Sequence, residues 1–371
     1  MRTSTDELRQ ALGDGGFNKR YVADLYYNGE RQLQDVPVTD VVLDEDDSRA
    51  VKAAGTCTIV WQDDYGQSIM PVSVGDLFAP FGSELAIYAL VEAGSLLERI
   101  PMGWFQIVDV PTMRDQTMFF NYATITTGTT LDLKLQDRFI QIQRDEFDVP
   151  SSPSQLASVY QEIANLTGLQ IVKSIPDAPI NRTIAYQQDR MQAVLDLADV
   201  LGGVPYAAPD GTLMLRPKLW PDPVDVMRRG DEGTIVSIGK GMTADQVYNK
   251  TVFRGQGTAQ DQVLAISEIL SGPLRTRNAD GTRSPAHRRP TFLSNQLVTN
   301  AAQAQTYTDT TLVQKSTLNA VQWPITEIWN PLRELGDVIT VVDEHDQEVL
   351  TRIVALNRTG AATQKVTVSR G

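Results

Sequence analysis

The sequence predicts an α+β, mostly β protein with two β-barrel-like domains flanking a small α+β domain. Three observations predict it. Short alternating strands follow one another from Lys19 to Asp137, the apolar period changes to that of helices after Ser152, and strands resume from Thr234. The boundaries expected are an N-terminal arm 1–20, a first β-barrel-like domain 21–148, an α+β domain 149–218 and a second β-barrel-like domain 219–371 with one long helix.

The arm reads as loosely ordered. Thr5-Asp6-Glu7-Leu8 has N-cap chemistry, and Gly13, Gly15 and Gly16 end any helix it starts. The first strand, Tyr21 to Tyr27, ends at Asn28-Gly29, the strongest short hairpin signal. Val36 to Leu43, Cys57 to Gln62, Ile87 to Glu92, Trp104 to Val110 and Leu131 to Asp137 read as further strands. Many short strands at this spacing suggest a closed or partly closed barrel or a sandwich.

Ser152-Pro153 pairs an N-cap with a residue suited to the first helical turn. Leu156, Val159, Tyr160, Ile163 and Leu166 then mark one helical face, and Gly168 stops it. Strands follow at Leu169–Ile175 and Arg182–Tyr186. A second helix opens near Asp189, with Met191, Val194, Leu195, Ala198 and Leu201 on one face. A hairpin from Pro205 to Pro217 turns at Asp210-Gly211.

Pro217 to Gly233 reads as a crossing loop. Strands return at Ile235–Ile238, Val247–Gly255 and Gln262–Ile269, and an Ala-rich helix opens near Thr299-Asn300. After it come Thr317–Ile328, the pair Asp337–Val342 and Gln347–Leu356 joined by Asp343–Asp346, and Lys365–Ser369.

With 371 residues, 42% hydrophobic and 21% charged, the chain is expected to be a soluble globular protein of two to four domains. No apolar run approaches the roughly 18–20 residues that span a membrane, so no membrane insertion is expected. The polar start lacks the apolar segment of a secretory leader, so synthesis in a cytoplasm is expected. Cys57, the only cysteine, lies in an apolar strand pattern and reads as a buried small hydrophobe. A net charge of −13 argues against wrapping nucleic acid but not against nucleic acid sliding past a like-charged wall.

No catalytic, cofactor or metal residue is marked. His287 and His345 sit in separate polar loops, and no HExxH, GxSxG or phosphate-binding GxxxxGK[ST] occurs. Gly239-Lys240-Gly241 and Gly255-Gln256-Gly257 read as strand ends. The acidic runs Asp44–Asp47 and Asp63-Asp64 lack the alternating spacing of a Ca²⁺ loop and read as solvated loops. Arg275, Arg277, Arg283, Arg288 and Arg289 concentrate cation in an acidic chain. They read either as scattered loop charge or as an assembly contact to an acidic neighbour, most simply another copy.

Several stretches together resemble a known group. Asp245 to Gly255 (DQVYNKTVFRG), the LADVLGGVPYAAPDGTLMLRP stretch ending at Pro217, Arg289-Pro290-Thr291-Phe292 with the AAQAQ helix, Asn330-Pro331, and Gly336-Asp337-Val338-Ile339 occur in the order seen in actinobacteriophage minor tail proteins related to the tail-hub (baseplate hub) proteins of tailed phages. The resemblance covers about residues 150–371 by motif and the rest by order. One departure is Gly272-Pro273-Leu274-Arg275 with an inserted Asn278-Ala279-Asp280-Gly281, where the group has Gly-Pro-Phe-Gly.

The resemblance implies a non-enzymatic virion protein, with three copies in a ring at the distal end of the tail tube. Phage DNA would pass through without specific binding. The partners implied are the tail tube or a distal tail protein above and tip, baseplate and fibre proteins below. The competing classes are a tail-associated cell-wall hydrolase, which the missing motifs disfavour, and a receptor- or carbohydrate-binding module, which needs exposed aromatics in loops.

Overall fold

The Asn28-Gly29 pair forms a two-residue turn with both φ angles positive, 52° and 77°. That geometry matches the twist of the strands it joins. They are β1 (Asn18–Tyr27) and β2 (Glu30–Asp46). With β3 (Ala53–Trp61), β4 (Ser83–Ala93), β5 (Leu96–Phe120) and β6 (Ala123–Asp137) they are hydrogen-bonded in the order β1-β4-β5-β6-β3-β2, and β2 pairs again with β1. The six pairings therefore run in a cycle. Its interior holds Leu25, Val36, Ile59, Leu85, Ile87, Leu131 and Leu133. In a computed structural model of the chain all residues are described except 62–66, 121, 181–183, 231–232, 246, 257–261, 296–297, 299, 317–320 and 371.

The arm is ordered rather than loose. Thr5 caps α1 (Asp6–Asp14) by accepting from the Leu8 amide, and Gly15 closes it in the left-handed conformation. Leu8 and Leu12 are buried in the first core, so burial rather than propensity fixes this short helix.

After α2 (Phe139–Arg144), unsignalled in the sequence, come α3 (Val159–Thr167), β7 (Ile171–Val172), α4 (Arg190–Val200), β8 (Gly203–Ala207) and β9 (Leu213–Pro217). The helices cover a sheet ordered β7-β9-β8 and enclose a separate core that includes Tyr160, Ile163, Val194 and Leu215. The cap of α3 is Ser158, not Ser152. The expected strand 182–186 reduces, among the described residues, to a bridge between Ser151 and Tyr186.

The C-terminal strands are β10 (Asp225–Met227), β11 (Ile235–Ile238), β12 (Gly241–Met242), β16 (Val321–Ile328), β17 (Val338–Val342), β18 (Glu348–Arg358) and β19 (Thr363–Arg370). They pair in the order β10-β17-β18-β19-β16, with β11 and β12 both on β16. β18 also pairs with β2, Ala355 to Arg358 against Asp46 to Leu43, so both β units share one 13-stranded sheet.

Residues between β12 and β16 leave that sheet. β13 (Lys250–Gln256), β14 (Gln262–Glu268) and β15 (Pro290–Leu293) form their own sheet, β14-β13-β15, packed on α5 (Ala301–Lys315). These strands were expected in the second barrel-like unit. Their pairing partners are instead one another. Asn300 caps α5 through the Gln303 amide. Part of the expected strand 317–328, and Asp63-Asp64, lie outside the described residues. Among the described residues no helix is long and apolar enough to cross a membrane.

Candidate assembly surfaces

The arginine loop, residues 270–289, is folded. Its keystone is Asn249, which is buried. The Asn249 Nδ2 donates to the carbonyls of Leu274 (3.1 Å) and His287 (2.6 Å), and its Oδ1 accepts from the Arg289 amide (2.8 Å). One amide thus staples both limbs of the loop to β13. An Asn278–Thr282 backbone bond closes the inserted turn, and Ser284 donates to the Arg275 carbonyl.

The five arginines do not act as one set. Arg275 is spent inside the loop, on Asn278 Oδ1 and the Gly272 carbonyl, both at 3.0 Å. Arg277 pairs with Glu268 at 2.8 Å, and Lys250 reaches the same carboxylate at 3.2 Å. Although burial opposes it, these cations hold Glu268 below the usual carboxylate range. Arg283 and Arg288 are exposed and Arg289 half-buried, and none of the three has an ion pair among the described residues.

The acidic run Asp44–Asp47 is not a solvated loop. It lies where the units meet. Glu45 pairs with the fully buried Arg358, whose other nitrogen donates to the Arg333 carbonyl. Asp47 pairs with Arg216 and with Lys52 at 2.9 Å, and Asp44 with Arg49 at 2.8 Å. Burial opposes ionisation of Asp47, but Arg216 and Lys52 hold its carboxyl below the usual range. Arg352 donates to the carbonyls of Gly336, Lys218 and Pro217 at 2.8–3.1 Å. Burial, then Arg216, lowers its pKa to about 10. Gly336, at φ 88°, lies where any Cβ would strike the Arg216 guanidinium.

The Asn330-Pro331 turn belongs to the same junction. Trp329 and Leu332 are buried in the first core, and the Trp329 indole donates to the Tyr21 hydroxyl at 3.1 Å. A buried ion pair adds little net stability, but removing one partner alone is costly. Here it joins first unit, α+β unit and last unit. The sequence signal for it was arginine inside apolar strands, as at Arg352 and Arg358.

β5 and β6 run on past their neighbours. β4 leaves β5 at Gln106 and β3 leaves β6 at Thr129, so the remainder is a two-stranded ribbon. Its tip exposes Met118, Phe119 (72%) and Tyr122 (95%).

The two histidines and the cysteine lie in separate elements. His287 contributes its backbone to the arginine loop, and His345 sits in the β17–β18 turn, its amide donating to Asp343. Cys57 is buried, and burial, then Asp132, pushes its thiol up to about 12. Asp137 is raised to about 6 by burial, while the Ala53 and Phe139 amides it accepts pull it back. A cavity of about 400 Å³ between α4 and α5 is lined by the Asp199–Lys218 pair, Tyr307 and small side chains.

No family model matches the chain, and no curated protein matches it. Two solved structures share its architecture over nearly its whole length. A tail protein from Neisseria meningitidis MC58 aligns over 95% of this chain and 97% of its own, with a TM-score of 0.62 and 13% identity. The 43 kDa tail protein of prophage MuSo2 from Shewanella oneidensis aligns over 95% and 98%, with a TM-score of 0.57 and 12% identity. The chain has the fold of these tail proteins.

Proposed function

We propose that the chain is a structural protein of a phage tail and not an enzyme. Its position is the hub at the distal end of the tail tube, where it joins the tube or a distal tail protein to tip, baseplate and fibre proteins. The observation that carries this reading is the likeness to two tail proteins over 95% of the chain. The motif order in residues 150–371 that resembles actinobacteriophage minor tail proteins supports it independently.

The form proposed is a homotrimeric ring around the genome channel. Each copy carries two six- to seven-stranded β units locked by pairing and buried charge, so three copies set six such units round one axis. Rigid units suit a load-bearing ring, and association covers the sheet edges that an isolated chain leaves open. The balance of −13 lets DNA pass without sticking. The site of action is the virion, after synthesis in the host cytoplasm.

A second reading, a receptor- or carbohydrate-binding tip module, draws on the exposed Phe119 and Tyr122. Gold-labelled antibody to the chain separates the two. The hub reading expects label at the tube end in particles stripped of their fibres, and label lost with the fibres overturns it.

A further inference from the structure

The positive charge of this acidic chain is gathered in one module. Residues 248–316 hold eight Lys and Arg against four Asp and Glu, a balance of +4. Residues 1–138 hold eleven against twenty-one, a balance of −10. The module is the sheet β14-β13-β15 with α5 and the arginine loop.

One face of its sheet is covered by α5. Thr251 and Phe253 point to α5, where Thr251 donates to the Thr308 carbonyl and Phe253 meets Tyr307 edge-on. Alternation sends Val252 and Arg254 to the opposite face. Val252 is paired with Ile266 on one side and Phe292 on the other, so the three form a cross-strand row there, in which Val252 is buried and its two neighbours are exposed. Ile266 is 44% and Phe292 59% exposed. The Arg254 guanidinium lies over the Phe292 ring, 4.8 Å from its centroid.

The row is flanked by cations. Arg254 is one. Arg283, Arg288 and Arg289 follow in the loop that Asn249 staples to the same strand. Arg275 is held by hydrogen bonds inside its own loop and Arg277 is paired with Glu268, so neither guanidinium is counted here. An apolar patch with arginines that have no ion pair among the described residues on the same module has the anatomy of a protein-docking surface. Guanidinium forks match carboxylates.

We infer that this face docks on the acidic β unit, residues 1–138, of a second copy of the chain. It rests on the assembly reading above only in taking the partner to be another copy; the charges are opposite in either case. A nucleic acid fits less well, because phosphates gain nothing from the Ile266–Val252–Phe292 row and the rest of the chain repels a polyanion.

The test uses the full chain in sedimentation velocity over a concentration series. Self-association is expected at about 50 mM salt, weakening at least about tenfold at about 500 mM. The triple change Arg283→Glu, Arg288→Glu, Arg289→Glu should weaken it at least about tenfold at low salt, and Phe292→Ser should weaken it at both salts. Melting curves that match wild type show that each variant is folded. Two results overturn the inference: variants that associate as wild type does, or a wild type still monomeric at about 200 µM, where even a weak interface of this kind should be populated. Duplex DNA bound by wild type and released by the triple change would also overturn it, by naming a different partner. None of these results bears on where the chain sits in a particle, so the hub reading fails or survives separately.

Discussion

Replacing Asn249 with Ala should release the arginine loop without unfolding the chain. The side chain makes three hydrogen bonds, to the carbonyls of Leu274 and His287 and from the amide of Arg289. Each contributes about 1 kcal/mol net and all three are part-buried, so the loss is about 3 kcal/mol. That loss falls on a local opening, because the bonds Asn249 makes go to Ile269, Leu274, His287 and Arg289 of the same module. About 3 kcal/mol corresponds to roughly a hundredfold rise in the open population. Hydrogen exchange by mass spectrometry on peptides covering residues 270–289 reads it directly. Asn249→Asp sets a carboxylate oxygen against the Leu274 and His287 carbonyls at a buried position, so it should open the loop at least as far as Ala. Exchange in this loop unchanged within about threefold, or protection lost equally from β1 to β6, would refute the keystone role.

Three further outcomes follow from the same geometry. Arg358→Met strands Glu45 in the junction and should cost about 3–5 kcal/mol, splitting urea unfolding into two transitions; a single transition within about 1 kcal/mol of wild type contradicts this. Asp137 titrates near 6 when folded, above its ordinary 3.8, so its contribution is full below about pH 4 and is lost as pH rises through about 6. The loss is about 2–3 kcal/mol, and Asp137→Asn should flatten that part of the stability profile; an unchanged slope sinks the assignment. Purified protein should clear no host cell wall in a zymogram, and a clearing zone abolished by one Asp or Glu substitution would reverse the non-enzyme reading.

What was legible in the sequence was what neighbouring residues decide. The Asn28-Gly29 turn, the Thr5 and Asn300 caps and the Asp343–Asp346 turn need only local chemistry. The start of α3 was misplaced because two serines compete. Glu162 takes up the amides of Ser154 and Gln155, which holds that segment as a turn and leaves Ser158 as the cap. The length of β5 was hidden by Pro101 and Pro111, which read as breaks. Register shifts in the β4 and β6 pairings fall beside them, where a missing amide costs little. The sheet of β13 to β15 was not legible as a separate body, because no residue announces its pairing partner. Of the candidate site, the arginines were visible but their partners were not. Glu268 and Asn278 remove two of the five, and Asn249 had shown only as part of a strand motif.

The central claim is the ring. Electron cryomicroscopy of intact particles, with the chain fitted into density at the tail end, tests it most directly. Three copies around the channel are expected, each with both β units facing the same axis. Six copies, a single copy, or density for this chain anywhere but the distal end of the tube would contradict it.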